Sequence, residues 1–162
     1  MTMATTLARY LGKKQSRFET VRRPVKPANS TATAAAIAAA TYVPGDRLAR
    51  TVLLEDHRGY LAAVIPSTHH LKLSELRAQT GRELSLVHGD GVREVFRDCD
   101  LGALPPVGMA SVTQIWLDDS LLAHADVYFE AGDHEALVHM STEQFTALMT
   151  DAHRGHFAHR MM

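Results

Sequence analysis

The sequence predicts a single α+β domain in which a mixed, mostly antiparallel β-sheet packs against helices. Its 162 residues are enough for one domain with a sizeable core. Strand-like runs occur next to each other as hairpins, and strands and helices do not alternate regularly along the chain. With 46% hydrophobic residues and a formal net charge of −1, the composition excludes a disordered chain and a strongly cationic nucleic-acid binder.

The N-terminal part is predicted to contain two helices and a short strand. Thr6 is expected to cap a first helix that stops at Gly12. A strand follows over residues 17–21, and a connection with two prolines leads to an alanine-rich helix. That helix is expected to be capped by Ser or Thr at positions 30–31 and to end near Ala40.

The middle of the chain is predicted to contain a β-hairpin followed by short elements. Apolar runs with β-branched residues at positions 51–55 and 60–65 flank a turn-like segment, so they are expected to pair. Downstream we expect a short helix, a strand, one or two further helical turns and a long loop, at residues 71–81, 84–87, 92–96 and 98–108.

The last third of the chain is predicted to add three strands and a helix. The strands are expected over residues 112–117, 126–131 and 136–140. Ser141 and Gln144 form a capping box before an apolar stripe of helical period, which indicates a final helix.

The C-terminal segment, residues 151–162, is rich in histidine. His153, His156 and His159 recur at i, i+3 and i+6, whereas zinc-binding helices typically place two ligands at i and i+4. We therefore expect a frayed tail and no bound metal. The single cysteine, Cys99, can form neither an internal disulfide nor a Cys-based metal site, and no glycine-rich nucleotide fingerprint occurs. The sequence predicts no cofactor.

Positive charge is concentrated at the N-terminus. Residues 1–30 carry seven Lys and Arg residues and one Glu, and the rest of the chain is mildly acidic. This stretch could contact a phosphate backbone or be an ordinary solvated surface. We expect it to belong to the same domain as residues 31–150. Nothing resembles a signal peptide or a membrane span, so we expect a cytoplasmic protein with no membrane partner.

A loop rich in glycine and proline is the first candidate for a functional site. Pro105 and Pro106 lie between Gly102 and Gly108, just before a predicted strand. Prolines stiffen a loop, and glycines allow the backbone to approach a ligand closely. Such a loop can present fixed N–H groups to a carbonyl or an oxyanion. An ordinary connection can have the same composition.

Two strand ends carry further candidates. Asp118 and Asp119 follow one strand and are either catalytic acids or part of a capped turn. Gly132 and His134 follow the next strand, and His134 is a candidate proton carrier or substrate contact, although a histidine in a turn is more often simply solvated.

Taken together, these segments resemble the YbaK-type family, the prolyl-tRNA editing and prolyl-tRNA-synthetase-associated aminoacyl-tRNA deacylases. The resemblance covers about residues 31–150. It is carried by five segments in the same order as in the family, at residues 45–54, 60–66, 102–108, 117–121 and 131–134. The family fold, a mixed β-sheet packed with helices, agrees with the fold class predicted above.

The resemblance implies hydrolysis of the ester of a mischarged tRNA that carries a small amino acid. The partner would be the 3′ end of an aminoacyl-tRNA, with possible contact to an aminoacyl-tRNA synthetase or another domain. In this family the glycine/proline loop binds near the ester. The site residues that the match implies here are Gly102, Gly108 and His134 for catalysis and Pro105, Pro106 and Gly132 for substrate binding.

The family hallmark, a Lys at the start of the first long strand, is replaced here by Arg50, within Ala49-Arg50-Thr51. Arg keeps the positive charge, but it does not usefully lose its proton and it prefers planar, bidentate partners. Asp46 corresponds to the acidic or polar partner near the family Lys, so the resemblance implies that Asp46 binds substrate; the alternative expectation is that Asp46 and Arg50 form a surface ion pair and nothing more. Two functions stay open: a deacylase in which Arg50 acts in catalysis, and a catalytically impaired module that binds tRNA or a small ligand.

Overall fold

The structure is a computed structural model and describes residues 3–22, 43–109 and 111–161. The helices are α1 (Thr5–Lys13), α2 (Leu73–Thr80), α3 (Gly89–Val95) and α4 (Thr142–Leu148). The strands are β1 (Glu19–Arg22), β2 (Leu48–Asp56), β3 (Gly59–Pro66), β4 (His69–Leu71), β5 (Ser85–Leu86), β6 (Val112–Asp118), β7 (Asp126–Glu130), β8 (Ala136–Ser141), β9 (His153–Gly155) and β10 (Ala158–Arg160). Short 3₁₀ turns occur at Gly45–Arg47 and Asp119–Ala123.

The main sheet is mixed and has the strand order β1-β8-β7-β2-β3-β6-β9, with β5 also paired to β2. The pairs β1–β8, β7–β8, β2–β3 and β2–β5 are antiparallel, whereas β2–β7, β3–β6 and β6–β9 are parallel. Strands β4 and β10 form a separate antiparallel pair. The predicted fold class, a single α+β domain with a mixed, mostly antiparallel sheet, is confirmed.

The core lies on both faces of the sheet, because the central strand β3 is apolar on each. Successive side chains of a strand point to opposite faces. Val64 therefore packs into one cluster with Leu7 of α1 and Phe145 of α4, and Ile65 packs into a second cluster that contains Phe157 near the C-terminus. This burial on two sides makes β3 and its partner β2 the rigid centre of the fold.

Most of the predicted elements occur where the sequence places them. The β2–β3 hairpin and the three later strands are confirmed. The Ser141 hydroxyl accepts a hydrogen bond from the Gln144 backbone N–H at 3.1 Å and caps α4. Gly81 ends α2 in the left-handed conformation. The predicted alanine-rich helix lies outside the described residues.

The predicted cap of the first helix is wrong. Helix α1 starts at Thr5, with Ala4 before it, and the side chain of Ala4 provides no hydrogen bond. Thr6 instead donates to the Asp98 carboxylate, from its backbone N–H at 2.9 Å and from Oγ1 at 3.0 Å. A carboxylate from a distant loop thus accepts hydrogen bonds at the N-terminus of the helix. Its negative charge is also favourable there, because it faces the positive end of the helix dipole.

The prediction of a frayed C-terminal tail is also wrong. Strand β9 pairs with β6, β10 pairs with β4, and Phe157 between them is fully buried. The buried Asp118 carboxylate accepts hydrogen bonds from the backbone N–H groups of Phe157 and Ala158 at 2.9 and 3.0 Å. Each of the two strands is three residues long and polar, so neither has a recognisable period in the sequence.

An ionisable cluster around His139 joins β1 to the sheet. The His139 ring stacks on Tyr128, contacts the Glu19 carboxylate through Nδ1, and contacts Asp126 through Nε2 at 2.8 Å. Burial disfavours the imidazolium, but the hydrogen bonds to Glu19 and Asp126 outweigh it and raise the pKa of His139 above 6.5. Arg47 also contacts Asp126, at 2.9 Å.

We expect His139 to stabilise the fold at acid pH and to lose this effect in alkaline buffer. Because its pKa is raised on folding, the stabilisation is complete below pH 6.5 and falls as pH rises through the folded-state pKa. Urea unfolding of the wild type and of His139→Gln should show a difference in unfolding free energy that shrinks at alkaline pH. An equal difference at both pH values would contradict this assignment.

Candidate active site

A cleft opens in the main sheet where β2 and β7 separate. Their parallel ladder ends at the Ala49–Phe129 pair, and β5 pairs with the same edge of β2 only at Leu54 and Glu55. No described strand pairs with that edge at residues 50–52. The sheet therefore has a gap, which forms a cleft of about 350 Å³.

The backbone of Thr51 points into this gap. In an antiparallel ladder, alternate residues direct their N–H and C=O groups to opposite edges of the strand. Leu48 accepts from Ser67 on the β3 side, and Leu53 accepts from Val87 on the other side. By this alternation Thr51 directs its N–H toward the cleft, where a fixed donor can bind a carbonyl oxygen.

The wall of the cleft is mostly apolar, with a few polar groups. Helix α3 and the loop after it cover one side. The apolar lining comes from Leu48, Ala49, Val52, Leu53, Leu86, Val87, Val92, Leu101 and Leu104, and the polar side chains are those of Arg50, Thr51, Ser67, His88 and Glu130. This composition is typical of a site for a small ligand, in which a few polar groups set the orientation of the ligand.

Arg50 is exposed and lies at the rim of the cleft, where its Nη2 donates to the backbone carbonyl of His69 at 3.0 Å. Glu130, at the end of β7, also lines the cleft, and its side chain is buried. A guanidinium carries a permanent positive charge, so Arg50 can attract an anion or a developing oxyanion but cannot act as a base.

The expected Asp46–Arg50 ion pair does not occur. Asp46 Oδ2 accepts from Arg160 Nη2 at 2.8 Å, and its Oδ1 accepts from the Thr68 hydroxyl at 2.5 Å. These hydrogen bonds, that of Arg160 first, hold the pKa of Asp46 at about 2. The prediction failed because Arg160 comes from β10, a strand that the sequence does not reveal.

Gly102 is the predicted site residue of the glycine/proline loop that lines the cleft. Its φ of +82° is strained for residues with a side chain, and a Cβ there would lie 3.2 Å from Cε1 of His134. The His134 ring is held in place because its Nε2–H donates to the carbonyl of Leu101 at 2.6 Å. His134 thus fixes the loop at the cleft rather than lining the cleft itself.

The other predicted loop residues lie behind the cleft. Pro105 and Pro106 are buried. Gly108 packs against α1, where a Cβ would lie 3.2 Å from the Thr6 carbonyl oxygen, and Gly132 packs against Ala4. The structure therefore brings Arg50 and Gly102 together on the cleft and places His134 next to Gly102. Pro105, Pro106, Gly108 and Gly132 do not line the cleft.

Two buried polar residues of the cleft were not predicted as site residues. Thr51 and Glu130 are only 7% and 5% exposed. The Thr51 hydroxyl oxygen is buried and has no hydrogen-bond partner among the described residues, which favours a polar ligand group in the cleft. In the sequence, the only signal for Glu130 was that it is an acidic residue within the apolar run 127–131.

Cys99 does not contribute a nucleophile to this cleft. Burial, followed by the nearby Asp98 carboxylate, raises the pKa of its thiol to about 12, so the thiolate is scarce at neutral pH. Its side chain lies on the far side of the loop, near Gly132. In the described part of the chain, no group of three or more His, Cys, Asp or Glu residues is placed to hold a metal ion. None of the described helices is long and apolar enough to cross a membrane.

Solved structures share this fold at low sequence identity. A candidate trans-editing enzyme for prolyl tRNA synthetase superposes with a TM-score of 0.78 at 22% identity over 96% of both chains. A hypothetical protein gives 0.73 at 20% identity over 95% of this chain and 99% of its own. A candidate signal transduction protein from Marinobacter aquaeolei gives 0.69 at 24% identity, and the chain spans 31% of that longer protein.

The sequence itself places the chain in a family. No curated protein shows a significant match. The model of the aminoacyl-tRNA editing domain matches residues 28–148, which include all of β2 to β8 and the whole cleft. The chain belongs to the aminoacyl-tRNA editing domain family.

Proposed function

We propose that the cleft between β2 and β7 binds the 3′ end of a mischarged aminoacyl-tRNA and hydrolyses its ester, releasing a small amino acid. The observation that carries this proposal is the meeting of Arg50 and Gly102 on one cleft. These are the positions that match the family Lys and the family glycine/proline loop, and they are far apart in the sequence.

The size and lining of the cleft support a small amino acid as the released group. Its volume of about 350 Å³ is near the lower end of the range for ligand sites. Apolar side chains such as Val52 and Leu104 narrow it. A terminal nucleoside and a short side chain would fill such a space, and a bulky aminoacyl group would be excluded by its walls.

The chain needs to supply few catalytic groups, because an ester is reactive once it is correctly positioned in the cleft. Water attacks the carbonyl carbon, the bond from that carbon to the ribose oxygen breaks, the amino acid leaves with a free carboxyl group, and the ribose oxygen takes the proton that the water loses. The Thr51 N–H and the loop at Gly102 stabilise the oxyanion. The charge of Arg50 attracts the anionic end of the tRNA and favours the same oxyanion.

His134 and the buried loop residues act as positioning residues in this scheme. His134 holds the carbonyl of Leu101 and thereby fixes Gly102. Pro105, Pro106, Gly108 and Gly132 keep the loop against α1 and the end of β7. A contact with an aminoacyl-tRNA synthetase would bring the mischarged tRNA to the cleft.

A panel of tRNAs misacylated with amino acids of increasing size tests the proposal. We expect release of alanine or another small amino acid and little release of bulky ones, because the cleft is narrow. Arg50→Ala should reduce release strongly, whereas Arg58→Ala, an exposed arginine at the far end of the same hairpin, should not. Intact tRNA across the whole panel at high protein concentration would reject the proposal.

Arg50→Lys separates an active enzyme from an impaired one. The Arg50 guanidinium donates to the His69 carbonyl, a contact that fixes the side chain at the cleft. Under our proposal the Lys variant loses activity, because the shorter side chain no longer makes this contact. A strong gain of hydrolysis by the Lys variant would instead identify a decayed enzyme.

A further inference from the structure

Two exposed arginines are anchored on the same short segment, residues 68–69, and one of them, Arg50, lines the cleft. Arg50 donates to the carbonyl of His69 at 3.0 Å. Arg160 donates to Asp46 at 2.8 Å, and Asp46 accepts from the hydroxyl of Thr68, the residue before His69. Arg50 thus contacts His69 directly, and Arg160 contacts Thr68 through the Asp46 carboxylate. Thr68 and His69 are consecutive residues.

The charge at this point of the rim is positive. Arg160 has a side chain that is 60% exposed, and Arg50 is exposed as well. Asp46, 31% exposed, is the carboxylate that contacts Arg160. Burial, followed by the charge of Arg160, lowers the pKa of His69, so this histidine adds little charge at neutral pH. The exposed charges of this segment are thus two arginines and the Asp46 carboxylate, while the Asp118 carboxylate nearby is buried.

The fold fixes Arg160 in this position. Strand β10 pairs Arg160 with His69, and the backbone N–H of Met161 donates to the Thr68 carbonyl at 2.9 Å. The preceding residues are held by the buried Phe157 and by Asp118. An arginine on a chain end that is docked this firmly loses little entropy when it binds a ligand.

We propose that Arg160 and Arg50 together bind a backbone phosphate of the RNA strand whose 3′ end enters the cleft, and that Asp46 holds Arg160 until the RNA displaces it. This inference rests on the proposed function. Guanidinium groups bind phosphate oxygens with paired, charge-assisted hydrogen bonds, which suits this rim. The exchange of a carboxylate for a phosphodiester leaves Arg160 paired throughout, and the displaced Asp46 carboxylate keeps the hydrogen bond from the Thr68 hydroxyl.

Binding of uncharged tRNA, measured as a function of salt, tests this proposal without hydrolysis. Arg160→Gln should weaken binding by about three- to fivefold. It should also reduce the slope of log affinity against log salt by about 0.7, the value for one phosphate contact to a single strand. Asp46→Asn should act in the opposite direction and tighten binding, because it removes the internal competitor. Arg154→Gln, an exposed arginine on β9 in the same C-terminal segment, is the matched control and should change neither quantity.

Four results would overturn the proposal. One is an Arg160→Gln protein with the affinity and salt slope of the wild type. Another is an Asp46→Asn protein that binds no more tightly than the wild type. The third is equal binding of a tRNA that lacks its 3′-terminal CCA. The fourth is displacement of tRNA by an equimolar amount of inorganic phosphate, which would indicate a site for free phosphate.

The outcome is separable from that of the proposed function. If the wild type hydrolyses mischarged tRNA while Arg160→Gln binds normally, the phosphate-binding pair is rejected and the deacylase stands. If the wild type neither binds nor hydrolyses tRNA, the proposed function fails. If Arg160→Gln lowers the thermal unfolding midpoint, two other variants test the phosphate-binding pair. Arg160→Lys keeps the positive charge, and Asp46→Asn removes the carboxylate that competes with RNA for Arg160. Normal salt dependence with Arg160→Lys and tighter binding with Asp46→Asn would then support the pair.

Discussion

Replacing Gly102 by Val is expected to reduce ester hydrolysis by about a hundredfold, the typical cost of a small misplacement at a reacting centre. The residue has a φ of +82°, which a β-branched side chain strongly disfavours. A Cβ there would also lie 3.2 Å from the His134 ring that fixes the loop. The loop must therefore shift, and its backbone donors lose their alignment with the cleft. Single-turnover deacylation of alanine-charged tRNA measures the effect.

Gly81→Val provides the matched control for this variant. Gly81 has a similar φ of +68°, but a Cβ there meets nothing within 4 Å, and the residue caps α2 away from the cleft. It should lose stability through backbone strain and keep its rate of hydrolysis. If Gly81→Val loses as much activity as Gly102→Val, the loop has no special role at the ester.

Replacing Asp118 by Ala is expected to lower the free energy of unfolding by about 3 kcal/mol. The carboxylate is fully buried and accepts from the N–H groups of Phe157 and Ala158. Its removal leaves both donors without an acceptor in a dry environment, which is costly. Urea unfolding monitored by Trp116 fluorescence measures the loss, since that ring lies on the strand that ends at Asp118 and stacks on His153.

Asp119→Ala is the control for the second variant. Asp119 is the neighbouring residue and is exposed, so its replacement should change the free energy of unfolding by no more than about 0.5 kcal/mol. A loss for Asp118→Ala as small as that for Asp119→Ala would show that the C-terminal strands are not held by this carboxylate.

The parts of the fold that the sequence predicts are those with local patterns. The β2–β3 hairpin joins two apolar runs across a short turn, and the Ser141 cap needs only a residue three positions away. Strands β4, β9 and β10 have three residues each, and their pairing joins segments that are distant in the chain. Their polar side chains carry no alternating pattern, so only the tertiary structure reveals them.

The candidate site was predictable in part for the same reason. The positions of Arg50 and Gly102 were found through the order of motifs along the chain. The roles of Thr51 and Glu130 depend on the register between β2 and β7 and on the point where this parallel ladder ends. No sequence pattern within β2 or β7 determines where this ladder ends. The partner of Asp46 was missed because it depends on where the C-terminal strand docks.

The central claim is that the ester is cleaved in the cleft between β2 and β7, and Leu86→Trp tests it most directly. Leu86 is 46% exposed and lines the cleft, so a larger ring can be placed there with little effect on stability. Phe18→Trp, at a residue that is 40% exposed and does not line the cleft, is the matched control.

The measurement is the single-turnover rate of alanine release from mischarged tRNA by the wild type and the two variants. We predict that Leu86→Trp lowers the rate at least about tenfold by filling the space that the aminoacyl end needs, while Phe18→Trp and the wild type are equal. Release of alanine by Leu86→Trp at the wild-type rate would contradict the placement of the reaction in this cleft.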